Sequence, residues 1–96
     1  MHNKSGKSKI SKANGVLYLK KLLNIPFKEI VMSGDGFNDF TMAKLTKQKA
    51  HFICPQNATN ELKNALLSLK RHTNKIYMAK EAGTMGILEG LSQIIK

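Results

Sequence analysis

Residues 30–39 read Ile-Val-Met-Ser-Gly-Asp-Gly-Phe-Asn-Asp, and no other stretch restricts the fold of this chain so tightly. An apolar run, Ile30 to Met32, stops at Ser33 and Gly34 and is followed by both aspartates of the protein, Asp35 and Asp39. A short buried run, a glycine-rich polar turn and a new amphipathic segment together describe a strand feeding a helix in an α/β unit. The carboxyl end of such a strand is where open α/β sheets place their ligands. Two carboxylates and the Asn38 amide at that point suit a hard, oxygen-liganded cation such as magnesium. A purely structural role is open as well: Asp35 or Asn38 could cap the helix that starts near Phe37.

The rest of the chain repeats the alternation. Residues 12–24 carry Val16, Leu19, Leu22 and Leu23 at helical spacing, and Pro26 forbids continuation. Residues 29–33 form a strand. Residues 37–47, with Phe37, Phe40, Met42, Ala43 and Leu45, form a shorter helix ending in lysines that suit its negative carboxyl end. His51 to Cys54 reads as a second strand closed by Pro55. Leu62, Ala65, Leu66 and Leu69 make the stripe of the next helix, capped by Thr59 or Asn57. Ile76 to Ala79 is a third strand, and Met85, Leu88, Leu91, Ile94 and Ile95 line a terminal helix. Met32, Met42, Met78 and Met85 fall at core positions. This order implies a short parallel sheet with helices packed on its faces. Right-handed crossovers bring the carboxyl ends of the strands to one edge, gathering Asp35, Asp39, Asn57 and Glu81 there.

Composition narrows the function classes. Ninety-six residues suffice for one domain, and 42% hydrophobic with 23% charged residues is ordinary for a folded globular chain. No apolar run approaches the roughly 20 residues that cross a bilayer, so a membrane role is not expected. Cys54 is alone, which excludes a disulfide framework and fits a reducing cytoplasm. The polar, basic start, without the apolar core of a signal peptide, fits the same compartment and reads as a flexible leader over residues 1–10. The net charge of +10 attracts anions, yet most lysines are scattered over helix faces and loops, and aromatic residues do not interleave with them. Nucleic acid, an anionic membrane and phosphorylated small molecules all attract a basic chain, and that pattern points away from nucleic acid.

Lys12 with Ala13-Asn14-Gly15-Val16-Leu17, then Gly34-Asp35-Gly36-Phe37-Asn38-Asp39, resembles the carboxyl-terminal half of a haloacid dehalogenase-like (HAD) phosphatase. The resemblance is to the branch with a large cap inserted in the core, which includes sucrose-phosphate phosphatase and related sugar phosphatases. Asn57-Ala58 before Glu61-Leu62 is similar to the turn after that family's next strand. Tyr77-Met78-Ala79 and Gly86-Ile87-Leu88-Glu89-Gly90-Leu91 resemble its closing strand and helix. The likeness covers residues 11–96. It implies a three-layer α/β/α, Rossmann-like partial domain and a magnesium-dependent phosphohydrolase of sugar phosphates or similar phosphomonoesters. It makes Asp35 a direct magnesium ligand. Asp39 would bind the metal through water or hold the lysine in place, Asn38 would orient phosphate or metal-bound water, and Lys12 would neutralise the phosphoryl oxygens and the nucleophile. Phosphoryl transfer spreads negative charge over oxygens, so a divalent cation and an ammonium are the stabilisers it needs.

One departure carries equal weight. The family attacks with an aspartate from an Asp-x-Asp motif, and no aspartate precedes Asp35 here. The Thr/Ser motif and the cap have no counterpart upstream of Lys12 either. None of Cys54, His51 or His72 has the setting of a substitute nucleophile. The resemblance therefore implies the metal-and-lysine half of an active site, completed by a complementary chain carrying the nucleophile half; the partner is otherwise a second copy in a homo-oligomer. The alternative is a non-catalytic α/β module or remnant that binds a cation, a phosphorylated ligand or a protein partner.

Overall fold

Three strands, β1 (Val31–Ser33), β2 (His51–Cys54) and β3 (Ile76–Met78), pair in parallel in the order β1-β2-β3. Four α-helices alternate with them: α1 (Lys12–Leu23), α2 (Phe40–Ala43), α3 (Asn60–Leu69) and α4 (Gly83–Ile95). The structure, a computed structural model, describes residues 12–95; the leader expected over residues 1–10 lies outside the described residues. The register sets Met32 beside Phe52 and Phe52 beside Ile76, with Val31 and Ser33 facing the other way alongside His51 and Ile53. Alternation thus gives the sheet two faces that differ in what covers them.

One face carries the main core. Met32, Phe52, Cys54 and Ile76 pack with Met42, Ala43, Leu45, Leu62, Leu66 and Leu69, and Ala13 and Val16 of α1 lean on the same cluster. Helices α1, α2 and α3 therefore lie on this side. Phe52, Leu62 and Leu66 are fully enclosed, and truncating any of them to Ala costs about 2–5 kcal/mol. Among the described residues, the opposite face is covered by α4 alone. There Ile53 meets a helix surface of glycine: a Cβ on Gly90 would stand 2.7 Å from the Ile53 side chain, and one on Gly86 would run into the Glu81 carbonyl. Layering is α/β/α, as expected, with one outer layer a single helix.

Several expectations change in detail. The 29–33 strand shortens to Val31–Ser33 because Phe27–Glu29 forms a 3-10 turn after Pro26. The 37–47 helix divides into a 3-10 turn (Phe37–Asp39), α2, and a second 3-10 stretch (Lys44–Gln48). Its start is tightened by the Asp39 amide donating to the Gly36 carbonyl at 2.9 Å. Near its end the Thr46 hydroxyl donates to the Ala43 carbonyl at 2.6 Å, and Lys49 closes it in left-handed backbone, φ 88°.

Two stripes read as core are not. In α1 no residue is buried, and Leu19, Leu22 and Leu23 are exposed. In α4, Met85, Leu88 and Ile95 are exposed and the buried positions are Gly86 and Gly90, so Met85 is not a core methionine. Phe37 also stands out in solvent, stacked on Phe40 with ring centroids 5.7 Å apart. A stripe is buried only where another element lies opposite. Among the described residues, β1 has β2 on one side and nothing on the other.

Candidate active site

The loop after β1 folds around the carboxylate of Asp39. The Asp35 and Gly36 amides donate to Asp39 Oδ2 at 3.0 and 3.1 Å, and Lys12 Nζ donates to Oδ1 at 2.5 Å. Gly34 makes this possible, since a Cβ there would stand 2.4 Å from the Asp39 side chain. The Asp39 side chain is only 4% exposed and the Lys12 side chain 53% exposed, so the pair sits at the rim with its anionic half buried. Burial is the largest single influence on the Asp39 carboxyl and works to raise its pKa. The Lys12 hydrogen bond, the Gly36 amide, the Lys12 charge and the Asp35 amide outweigh it together and hold Asp39 below the ordinary carboxylate range. The group is therefore an anion whose oxygens are engaged by three donors.

Asp35 is placed differently. Its backbone is fixed at both ends, the amide on Asp39 and the carbonyl accepting from the Thr59 amide at 2.9 Å, while the residue itself is exposed. Its carboxylate opens into a cavity of about 500 Å3 that Lys12, Ser33, Gly34, Asp39 and Asn57 also line. Asn38 is exposed and is not among the lining residues. Of the four groups expected at this edge, Asp35, Asp39 and Asn57 meet at the cavity; Glu81 does not. Glu81 spends its backbone instead, its carbonyl accepting from Gln56 and its amide donating to Glu89. Among the described residues, no group of three or more His, Cys, Asp or Glu is gathered in a form that would hold a metal.

The far wall comes from α4, which sequence spacing did not place here: Gly83, Thr84 and Ile87 line it. Two contacts anchor this wall. Asn57 Oδ1 accepts from the Gly83 amide at 2.9 Å, so Asn57 serves the start of α4, while α3 is capped by Thr59, whose hydroxyl accepts from Leu62. Glu89 reaches back from α4 to accept from the Tyr77 hydroxyl at 2.6 Å and from the Lys80 and Glu81 amides. That hydrogen bond raises the Tyr77 hydroxyl and lowers the Glu89 carboxyl relative to their ordinary values. Neither contact leaves a local sequence signal, because the partners lie 26 and 12 residues apart. Cys54 is buried, and burial pushes its thiol up despite the nearby Lys63 charge, a poor setting for a thiolate nucleophile. His51 is lowered by burial and by the Lys75 charge.

The chain has counterparts among known proteins. The sequence model of the sucrose-6F-phosphate phosphohydrolase family matches residues 7–93. The chain belongs to that family. Its membership places it in the HAD superfamily, on the sucrose-phosphate phosphatase-like branch. A crystal structure of a protein from Thermoplasma acidophilum superposes with a TM-score of 0.64 at 24% identity, over 88% of this chain and 32% of that one. At that identity the likeness establishes a shared fold. This family member spans about a third of the length of that neighbour. A search of the curated proteins finds no match. No helix among the described residues is long and apolar enough to cross a membrane.

Proposed function

We propose that this chain is the metal-and-lysine half of a magnesium-dependent HAD-type phosphohydrolase acting on a sugar phosphate or similar phosphomonoester. The observation that carries the reading is a shared cavity: the Lys12 ammonium, from α1, and the Asp35 carboxylate, from the loop after β1, line one opening at the carboxyl edge of the sheet. In this reading Lys12 neutralises the phosphoryl oxygens. Asp39 holds that ammonium in place and touches the metal, if at all, only through water, since its oxygens already accept three hydrogen bonds. Asn38, beside Asp39, orients phosphate or water from the rim.

The donor set suits magnesium. That ion keeps several waters and is held by one or two carboxylates together with substrate phosphate, and Asp35 offers one exposed carboxylate on a fixed backbone. Bound there, it would supply positive charge to the phosphoryl oxygens as charge develops on them. The nucleophile would come from a complementary polypeptide docked beside β1. A non-catalytic binding module is the second reading, favoured by the absence of a three-ligand metal group among the described residues.

The test combines binding and turnover. Magnesium titration should give weak binding that Asp35→Ala removes and Asp39→Ala weakens; if both variants bind like the parent, the loop is only a scaffold. The chain alone should not hydrolyse a generic phosphate ester. Adding the Asp-x-Asp-bearing front half of a longer family member should restore activity, and Lys12→Ala or Asp35→Ala should reduce it by about 100- to 1,000-fold. Lys12→Arg should also be impaired, because a planar guanidinium does not reproduce a compact ammonium. Magnesium binding without turnover in the reconstituted pair would favour the binding module.

A further inference from the structure

A second cavity, of about 430 Å3, opens at the other edge of the sheet, where the strands begin. Lys47 and Lys49 face it from the stretch leading into β2; Lys70, Arg71, His72 and Lys75 face it from the connection between α3 and β3. No acidic residue lines it, and none of its five permanent cations is ion-paired with a described residue, the ion pair among them being Lys12–Asp39. The ordinary account of such residues is that cations offset the negative carboxyl ends of helices. It covers Lys70 and Arg71 behind α3 and Lys47 in its short helix. It also covers Lys49, which closes that short helix, but not Lys75, which precedes a β-strand.

The two cationic walls are also tied together. The Thr73 hydroxyl donates to the Thr46 carbonyl at 3.0 Å and accepts from the Lys75 amide at 3.2 Å, while the Lys49 amide donates to that same Thr46 carbonyl at 3.1 Å. Thr46 is itself buried and bonded to Ala43. Like charges that would separate in solvent are thus held facing one space. We propose that this cavity binds a small, multiply charged phosphate anion, one with two or more linked phosphoryl groups. Five positive charges around one space, on backbone that these hydrogen bonds hold together, exceed what a single orthophosphate requires. No Phe, Tyr or Trp lines the cavity, so it lacks the run of large aromatic faces on which single-stranded nucleic acid stacks. The site is independent of the phosphatase reading, being separated from Asp35 by the length of the sheet.

Calorimetric titration of the chain with sodium tripolyphosphate, in about 0.15 M salt to screen diffuse attraction, tests this. Tripolyphosphate should bind more tightly than orthophosphate by at least about tenfold, the scale of losing charge-assisted contacts. Arg71→Ala/Lys75→Ala should weaken it by a similar factor. Lys21→Ala/Lys28→Ala, which removes the same charge from exposed positions elsewhere, and Asp35→Ala should leave it within about twofold. Amide shifts on titration should concentrate at residues 46–49 and 70–75. Equal weakening by the two double variants, absence of binding at millimolar tripolyphosphate, or tighter binding of a single-stranded RNA oligonucleotide would each overturn the proposal.

Discussion

Asp39 and Asp35 are four residues apart and chemically identical, yet their surroundings assign them opposite tasks. Asp39 is buried and accepts from one ammonium and two amides; Asp35 is exposed, with its carboxylate in the cavity. Asp39→Ala would leave two loop amides and Lys12 without their acceptor. Since Lys12 is half exposed and water can replace part of its loss, the expected destabilisation is on the order of 2 kcal/mol. Asp35→Ala should stay within about 0.5 kcal/mol, and urea unfolding of the two variants checks the contrast. A pH dependence follows with a defined sign. The Asp39 carboxyl is lowered in the folded state, so the unfolded chain binds the proton more readily. The stabilisation is full above the ordinary carboxylate pKa of about 3.9 and is lost as pH falls below it toward the folded value. Urea midpoints measured downward from about pH 6 should fall more steeply for the parent than for Asp39→Asn.

At the scale of elements, the terminal helix docks through an absence of side chains. Gly90 lets α4 approach β2 until the helix backbone meets Ile53, Gly86 lets it pass close to the Glu81 carbonyl, and Glu89 then fastens the helix to Tyr77 and the turn after β3. Gly90→Ala should cost about 1–3 kcal/mol by overpacking. Shortening its neighbour should relieve part of that, so Gly90→Ala/Ile53→Val should show favourable coupling in a double-mutant cycle. Met85→Ala, one turn away on the exposed side, should change the unfolding midpoint little. If Gly90→Ala is neutral and uncoupled to Ile53, the close approach is not what seats α4.

For the molecule as a whole, the unburied surface is as informative as the core. One edge of β1 is without a partner among the described residues. In addition, α1 exposes Leu17, Tyr18, Leu19, Leu22 and Leu23. So many exposed apolar side chains on one helix suit an interface, an open strand edge invites pairing, and three strands are near the minimum for independent stability. The isolated chain should self-associate in light scattering, and Leu19→Glu/Leu22→Glu should shift it toward monomer without lowering stability, because neither leucine is buried. A complementary front half should compete with self-association for the same surface. A monodisperse parent chain with high thermal stability in calorimetry would contradict this view.

The alternation of strands and helices, the loop at residues 34–39 and the capping of α3 by Thr59 or Asn57 were legible in the sequence, because each depends on residues within one or two turns of one another; the structure chose Thr59. The same local chemistry located Lys12, Asp35 and Asp39 as a group once their pattern was compared with a phosphatase family. What periodicity could not provide was the opposing surface. Leu19, Leu22 and Leu23 in α1, and Met85, Leu88 and Ile95 in α4, have the spacing of core residues, but no described element lies across from them. Only the tertiary structure put glycine rather than leucine on the buried side of α4. Only it brought Asn57 to the start of that helix and assigned the Lys12 ammonium to Asp39 across 27 residues. A stripe shows that a helix has an apolar side; burial and pairing are properties of two surfaces, and the second is fixed by the path of the whole chain.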